Sequence, residues 1–430
     1  MNKAKVVTLS LQHLLAMYAG AILVPLIIGD AIGFTSKQLT YLVAIDILMC
    51  GVATLLQVMS GRFIGIGLPV VLGCTFTAVP PIIAIANNPE QGITDVYGAI
   101  IASGVIIMLI AGLFGRLVVF FPPVVTGSVV TIIGVSLLPV AMNNMGGGQG
   151  ALDFAATHHL ILAFATLLVI LLVYRFANGF LRSISILIGM VVGTLLAITM
   201  GVVDFTPVEE APIGHIVQPF YFGMPTFDAS AILMMTIVGM VSLVESTGVY
   251  FALGSICNKN ITYKELARGY RAEGLASVIG GLFNAFPYTT FSQNVGLTRM
   301  SGAKDRVVIV ITGVMLILLG FSPKLAAVAT IIPTAVLGAA MLAMFGMVIT
   351  QGITMLAPSI EKSPANAMIA AIAIGLGVGV AVVPELFVNL PEQLKMLTSN
   401  GIVTGSITAI VLNILFNMIG PKMKEDNHSL

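Results

Sequence analysis

Long apolar runs separated by short polar segments recur along the whole chain. A bilayer core takes about 20 apolar residues per helix. At that length the pattern predicts fourteen spans, over residues 9–29, 38–59, 64–86, 96–115, 119–142, 158–175, 180–203, 229–253, 264–285, 287–300, 306–322, 326–352, 366–387 and 397–420. Two of them depart from the rest. The third contains Gly73-Cys74-Thr75-Phe76-Thr77-Ala78-Val79-Pro80-Pro81, and the tenth contains Phe286-Pro287-Tyr288-Thr289-Thr290-Phe291-Ser292-Gln293-Asn294-Val295-Gly296. Both mix β-prone Thr and aromatic residues with helix-breaking Pro. Unpaired polar groups in lipid cost several kcal/mol each, so such backbone belongs where it is buried in protein or lines a cavity. Each break is predicted to hold a short extended piece followed by a half-helix, and the two together mark the candidate substrate site.

Seven spans precede residue 215 and seven follow it. Because seven is odd, the halves enter the membrane in opposite senses, the inverted-repeat design of many secondary transporters. The third span then corresponds to the tenth. Opposed half-helices there would turn their N-terminal N–H groups and positive dipole ends toward the midplane, suited to carbonyl oxygens or anions. Loop charges support the count. All but Lys37, Lys324 and Lys395 of the 19 Lys and Arg fall on the side that also holds both termini. That bias places both termini in the cytoplasm.

The chain is 58% hydrophobic and 9% charged, with mean hydropathy +1.06, against roughly a quarter charged in soluble domains. It reads as an all-α polytopic protein of the cell membrane, its partner the lipid bilayer. A net charge of +1 and the lack of any basic–aromatic stripe argue against nucleic-acid binding. No cleavage pattern follows Met1-Asn2-Lys3-Ala4-Lys5, so the first apolar run is read as a span and not a signal peptide. Cys50, Cys74 and Cys257 are widely spaced and read as small buried hydrophobes, with neither a disulfide frame nor a metal site. Gly146-Gly147-Gly148-Gln149-Gly150 lacks the Lys-Ser/Thr of a phosphate loop, and Gly375, Gly377 and Gly379 lack the strand-to-helix setting of a dinucleotide fold. Without Ser-His-Asp order, HExxH or Walker motif, the sequence points to no enzyme and no cofactor.

Four ionisable residues inside the spans stand out. Glu245 lies deep in the eighth, and Ser242, Glu245, Ser246 and Val249 share a helix face. An intramembrane carboxyl is functional by default. This one is a candidate ligand for a substrate N–H and a candidate coupling site, against a structural role bonded to a neighbouring helix. Glu273 is about two turns into the ninth span with no base four positions away on either side. A packing role behind the site and direct substrate contact both remain open for it. His13 in the first span is a candidate for coupling or site-shaping, against a plain interhelical hydrogen bond. Asp46 in the second stands in the same position.

Gln293-Asn294-Val295-Gly296-Leu297-Thr298-Arg299-Met300-Ser301-Gly302 resembles the signature of the nucleobase–ascorbate transporters, the nucleobase:cation symporter-2 family. Leu11-Gln12-His13-Leu14-Leu15-Ala16-Met17, the Phe76-Thr77 region, Val244-Glu245-Ser246-Thr247-Gly248 and Ala285-Phe286-Pro287 look like further landmarks, and the likeness is nearest to bacterial xanthine permeases. The resemblance implies a core domain of residues 1–115 and 216–322, a gate domain of 116–215 and 323–430, and a homodimer formed through the gate. It implies substrate binding by Glu245 and Gln293, with Asn294 the adjacent motif amide and Glu273 and His13 at the family's acidic and histidine positions. An amide can meet adjacent donor and acceptor atoms of an oxopurine edge. Backbone N–H groups near Phe76 and Thr77 would take an exocyclic carbonyl, and Phe76 or Tyr288 would stack on the ring. Expected proton-coupling residues are Glu245, Glu273 and His13, with H+ preferred to Na+ as the coupling cation. The expected activity is import of a purine nucleobase, xanthine or urate (uric acid), by proton symport and alternating access. Ser301, Arg299 and Thr298 depart from the common motif, and Val249 stands where several relatives carry an ionisable residue. The alternative is an inorganic-anion exchanger or permease of the same architecture, which a carboxylate in the site disfavours. A sensor or structural membrane protein would leave the buried polar groups without purpose.

Overall fold

The computed structural model describes residues 3–117, 120–214, 217–390, 398 and 400–419. Lys395, Lys422 and Lys424, used in the loop-charge reading, lie outside these residues. The helices in chain order are α1 (Lys3–Ile32), α2 (Ser36–Val58), α3 (Val79–Ala86), α4 (Ile93–Leu117), α5 (Pro123–Ser136), α6 (Leu138–Met145), α7 (Thr157–Phe176), α8 (Phe180–Ser183) and α9 (Ser185–Thr199). They continue with α10 (Thr206–Glu210), α11 (Ala229–Ile256), α12 (Tyr263–Leu282), α13 (Ser292–Ser301), α14 (Arg306–Gly320), α15 (Pro323–Thr330), α16 (Thr334–Lys362), α17 (Pro364–Val382) and α18 (Gly401–Asn413). Two strands, β1 (Leu72–Cys74) and β2 (Tyr288–Thr290), interrupt this helical chain. Among the described residues, nine helical stretches are long and apolar enough to cross a bilayer. The protein is an all-α, multi-pass membrane protein with an extended break at each of the two expected places.

Boundaries depart from expectation where proline intervenes. The expected span 326–352 is instead α15, set at 83° to α14, followed by α16. Pro333 lacks an N–H and disfavours helical backbone before it, so one helix stops at Thr330 and the next starts at Thr334. Pro139 similarly accompanies the step from α5 to α6 within the expected span 119–142.

The chain forms two compact units, Met1–Gly115 with Pro139–Met344, and Arg116–Leu138 with Phe345–Leu430. The first holds both strands and every candidate site residue. In it α2 packs on α14, α1, α12 and β1, while α11 packs on β2 and α13. Along α1 and α2 its core holds Met17, Ile22, Leu23, Ile28, Leu42 and Ile45, all fully buried, with the polar Ser10, His13, Asp46, Thr54 and Gln57 buried among them. In the second unit α5 packs on α17 and α18, and Asn417 Nδ2 donates to Asn366 Oδ1 at 2.9 Å.

Candidate substrate site at the paired breaks

β1 and β2 run antiparallel, with Leu72 opposite Thr290, Gly73 opposite Thr289 and Cys74 opposite Tyr288. Each strand leads directly into a helix. Beyond β1 a single 3-10 turn, Phe76–Ala78, continues into α3, and beyond β2 comes α13. Antiparallel strands send these helices off in opposite directions, with both N-termini beside the strand pair. Thr75 caps the first, its side chain accepting from the Thr77 N–H at 3.3 Å. Phe291 provides no side-chain cap for the second. The first amides of α13 lack an intrahelical acceptor, so they are presented to whatever lies beside the strands.

Close approach at the strand pair depends on glycine. The Phe291 ring lies where a Cβ on Gly73 would be 2.2 Å from Cε2 and a Cβ on Gly20 2.5 Å from Cε1. The ring is thus slotted between α1 and β1, which fixes where α13 begins.

Behind the strands a network of hydroxyls is anchored on α11. The Thr75 hydroxyl lies 3.1 Å from Ser242 Oγ and 3.0 Å from Thr77 Oγ1. Ser246, one turn further on, serves the other break: it accepts from the Thr290 N–H and hydroxyl, each at 3.3 Å, and lies 3.1 Å from Thr289 Oγ1. Its own hydroxyl donates to Glu273 Oε2 at 3.1 Å. Glu273 Oε1 accepts from the Tyr250 hydroxyl, and Tyr250 in turn accepts from Gln57 Nε2. The Gln57 amide also donates to the Gly269 carbonyl at 3.2 Å, which fixes which end of it is the nitrogen. With Tyr250 oxygen already accepting, its O–H is directed at Glu273. All of these groups are buried.

Glu245 and Gln293 behave differently. Both are half-buried, and neither forms a hydrogen bond or ion pair to the described residues. They project from α11 and α13, which pack on each other. Phe76 is also half-buried, and Thr77 is fully buried. Asn294 bonds within the protein: its Nδ2 donates to the His13 carbonyl at 3.0 Å and lies 3.1 Å from His13 Nδ1, while its Oδ1 has no partner among the described residues. It ties α13 to α1. Tyr288 is buried beside Gly280 of α12, its hydroxyl without a partner among the described residues. A cavity of about 700 Å3 lined by Lys37, Tyr41, Asp204, Glu210, Gln218 and Tyr221 opens elsewhere in this unit, and no expected site residue lines it.

Three residues of this arrangement were not singled out from sequence. Tyr250 follows Ser246 by one turn on the same face of α11, a visible signal. Gln57 is a buried amide near the end of α2, the helix that also carries the buried Asp46. Cys74, read as a small hydrophobe, instead directs its thiol at Asp46, with Sγ 2.6 and 2.7 Å from the two carboxylate oxygens. Asp46 also accepts from the Phe286 N–H at 3.4 Å. One carboxyl on α2 therefore tethers both breaks.

Over residues 4–386 the chain matches a permease family, that of the xanthine and uric acid permeases. It belongs to the nucleobase–ascorbate transporter family. It is 60% identical to the xanthine permease of Bacillus subtilis over 98% of this chain and 95% of that protein. It is 55% identical to the uric acid permease PucK of the same organism, over 98% and 97%. The nucleobase transporter PlUacP of Paenibacillus larvae is 54% identical over 100% and 98%. Among solved structures, the transmembrane domain of the cyanobacterial bicarbonate transporter BicA superposes with a TM-score of 0.66 at 19% identity, covering 87% of this chain and 96% of that one. At that identity the likeness concerns fold alone. Membership in a family of permeases makes this nucleobase–ascorbate transporter a carrier and not an enzyme.

Proposed function

We propose that this protein imports an oxopurine, xanthine or urate, across the cell membrane together with protons. The observation that carries the reading is the pair Glu245 and Gln293: half-buried, without hydrogen-bond or ion-pair partners among the described residues, and set on adjoining helices beside an uncapped helix N-terminus. A carboxylate accepts from ring N–H groups, and an amide meets a neighbouring donor–acceptor pair on the same heterocycle. Backbone N–H groups at the starts of the two short helices take exocyclic carbonyls. Phe76, half-exposed, supplies the stacking face in preference to the buried Tyr288. The names of the relatives, xanthine and uric acid permeases, agree with this substrate class.

Coupling follows from the second carboxyl. Glu273 reaches the β2 strand through Ser246, so a ligand that moves the strand alters the hydrogen bonds that hold Glu273. Glu245 meets the substrate directly, and His13 acts through Asn294. Residues 1–115 and 216–322 serve as the substrate-carrying core and 116–215 and 323–430 as the gate. The fourteen spans form an inverted 7+7 repeat, access alternates between the two faces, and both termini are cytoplasmic. The protein works as a homodimer, with H+ and not Na+ as the coupling ion. An inorganic anion would meet the charge of Glu245, which repels it.

The decisive experiment is uptake of radiolabelled xanthine in cells lacking other purine carriers, with xanthine, urate, guanine and uracil as competitors. Xanthine and urate are expected to compete and uracil not to. Dissipating the proton gradient is expected to abolish accumulation; accumulation that persists would end the coupling proposal while leaving the substrate class intact.

A further inference from the structure

The glycine-rich segment after α6 lacks the residues of a phosphate loop, yet the fold gives it a definite task. Gly147, at φ +106°, lies under the imidazole of His159, where a Cβ would be 2.6 Å from Nε2. The segment is closed by the Ala155 N–H donating to the Gly146 carbonyl at 2.8 Å, and the turn it closes carries Asp153. His158 and His159 then open α7. The loop thus delivers three side chains to one point.

His159 Nε2 lies 2.9 Å from Asp153 Oδ2, and His158 Nε2 lies 3.3 Å from the same oxygen. The two rings are 4.0 Å apart between centroids, tilted by 44°. One carboxylate oxygen facing two imidazole nitrogens can accept an Nε2–H from each neutral ring, and the same convergence offers three lone-pair donors once both rings carry their proton on Nδ1. It suits a shared cation. A tetrahedral ion with bonds of 2.0–2.2 Å to nitrogen and oxygen sets its ligand atoms about 3.3 Å apart. The 3.3 Å distance matches the edge of such a tetrahedron, the 2.9 Å distance is somewhat shorter, and all three ligand atoms lie within 4.8 Å of one another. Side-chain exposures of 37%, 18% and 56% for His158, His159 and Asp153 leave a path for ion and water.

We propose that Asp153, His158 and His159 form a binding site for a divalent ion of borderline softness, Zn2+ above all, with water completing its coordination. Two imidazoles and a carboxylate are the donor set for zinc, whereas Mg2+ and Ca2+ call for oxygen ligands. The positive end of α7 opposes a cation here, so the charge of Asp153 is essential to binding. A bound ion would lock the loop onto the start of α7. The site stands apart from Glu245 and Gln293 and does not depend on what is transported.

The test uses the full-length protein, purified without a polyhistidine tag, stripped with chelator and titrated calorimetrically with ZnCl2 or MgCl2. One zinc per chain is expected, and no response to magnesium. Losing even an outer-sphere partner weakens zinc sites about 10–100-fold, so Asp153→Asn should weaken binding at least tenfold. The double change His158→Ala with His159→Ala should remove it. His159→Gln keeps a side-chain donor for Asp153 while removing the imidazole, so it should melt like the wild type without metal and fail to bind zinc. Absence of zinc binding in the wild type, or undiminished binding in the double variant or in His159→Gln, overturns the proposal.

Discussion

Replacing Glu245 by Gln separates a residue that serves the ligand from one that serves the fold. Glu245 has no hydrogen bond or ion pair to the described residues and is only half-buried. The substitution therefore removes no contact within the protein and takes an uncompensated charge out of a poorly solvated place. Stability is expected to stay level or rise slightly. Binding should suffer, because a carboxylate accepting a ring N–H contributes about 1.5–3 kcal/mol and a neutral amide much less. The neutral acceptor keeps about 0.5–1.5 kcal/mol, so at tenfold per 1.4 kcal/mol the loss is about 5–12-fold in xanthine affinity. Ser246→Ala is the contrasting change. Ser246 joins Thr290 to Glu273, both buried, and its loss strands one acceptor and one donor at about 1–3 kcal/mol each. Scintillation proximity binding of labelled xanthine and thermal unfolding in detergent, run on both variants, read the two effects separately. The reasoning is refuted if Glu245→Gln binds xanthine like the wild type, or if it unfolds as early as Ser246→Ala.

Gly73→Ala forces a methyl group into the Phe291 ring at 2.2 Å. Overpacking of about 1–3 kcal/mol and loss of uptake are expected, seen as a lower melting temperature and failing initial rates. Asn294→Ala cuts the tie between α13 and α1, removing the side-chain donor that the buried His13 carbonyl takes in addition to its own helix bond. A stability loss of about 0.5–1.5 kcal/mol is expected by thermal unfolding. Asp228 caps α11 by accepting from the Ala231 N–H at 2.9 Å, so Asp228→Ala should cost about 1 kcal/mol at neutral pH. The Ser230 hydroxyl and then the Ala231 N–H hold its carboxyl below the ordinary value of 3.8. The stabilisation is thus complete above pH 3.8 and fades as pH falls below it. Wild type and Asp228→Ala should therefore converge in melting temperature on acidification, and a constant gap would contradict the assignment.

What the sequence disclosed and what it withheld follow from how each signal is encoded. The paired breaks were legible because Thr and Phe beside Pro inside an apolar run have no helical or lipid-facing reading, and the strands at 72–74 and 288–290 lie inside those windows. Glu245 was legible because a carboxyl in a span is rare enough to stand alone. The partner choices were not. Nothing local distinguishes Glu273, which receives two hydroxyl donors, from Glu245, which receives none. That difference is made by Ser246, Tyr250 and Gln57, and Gln57 arrives from a helix some 200 positions away in the chain. Asn294 stands beside Gln293 in the motif that the family resemblance rests on, yet on a helix adjacent residues point about 100° apart. One faces His13 and the other is left unbonded. Asp46 carried a charge signal without an address, since its partners Cys74 and Phe286 become neighbours only once the two strands pair. Rare residue types thus mark where chemistry occurs, while the division into ligand-facing and fold-facing members is set by contacts between helices distant in sequence. Only the former can be read along the chain.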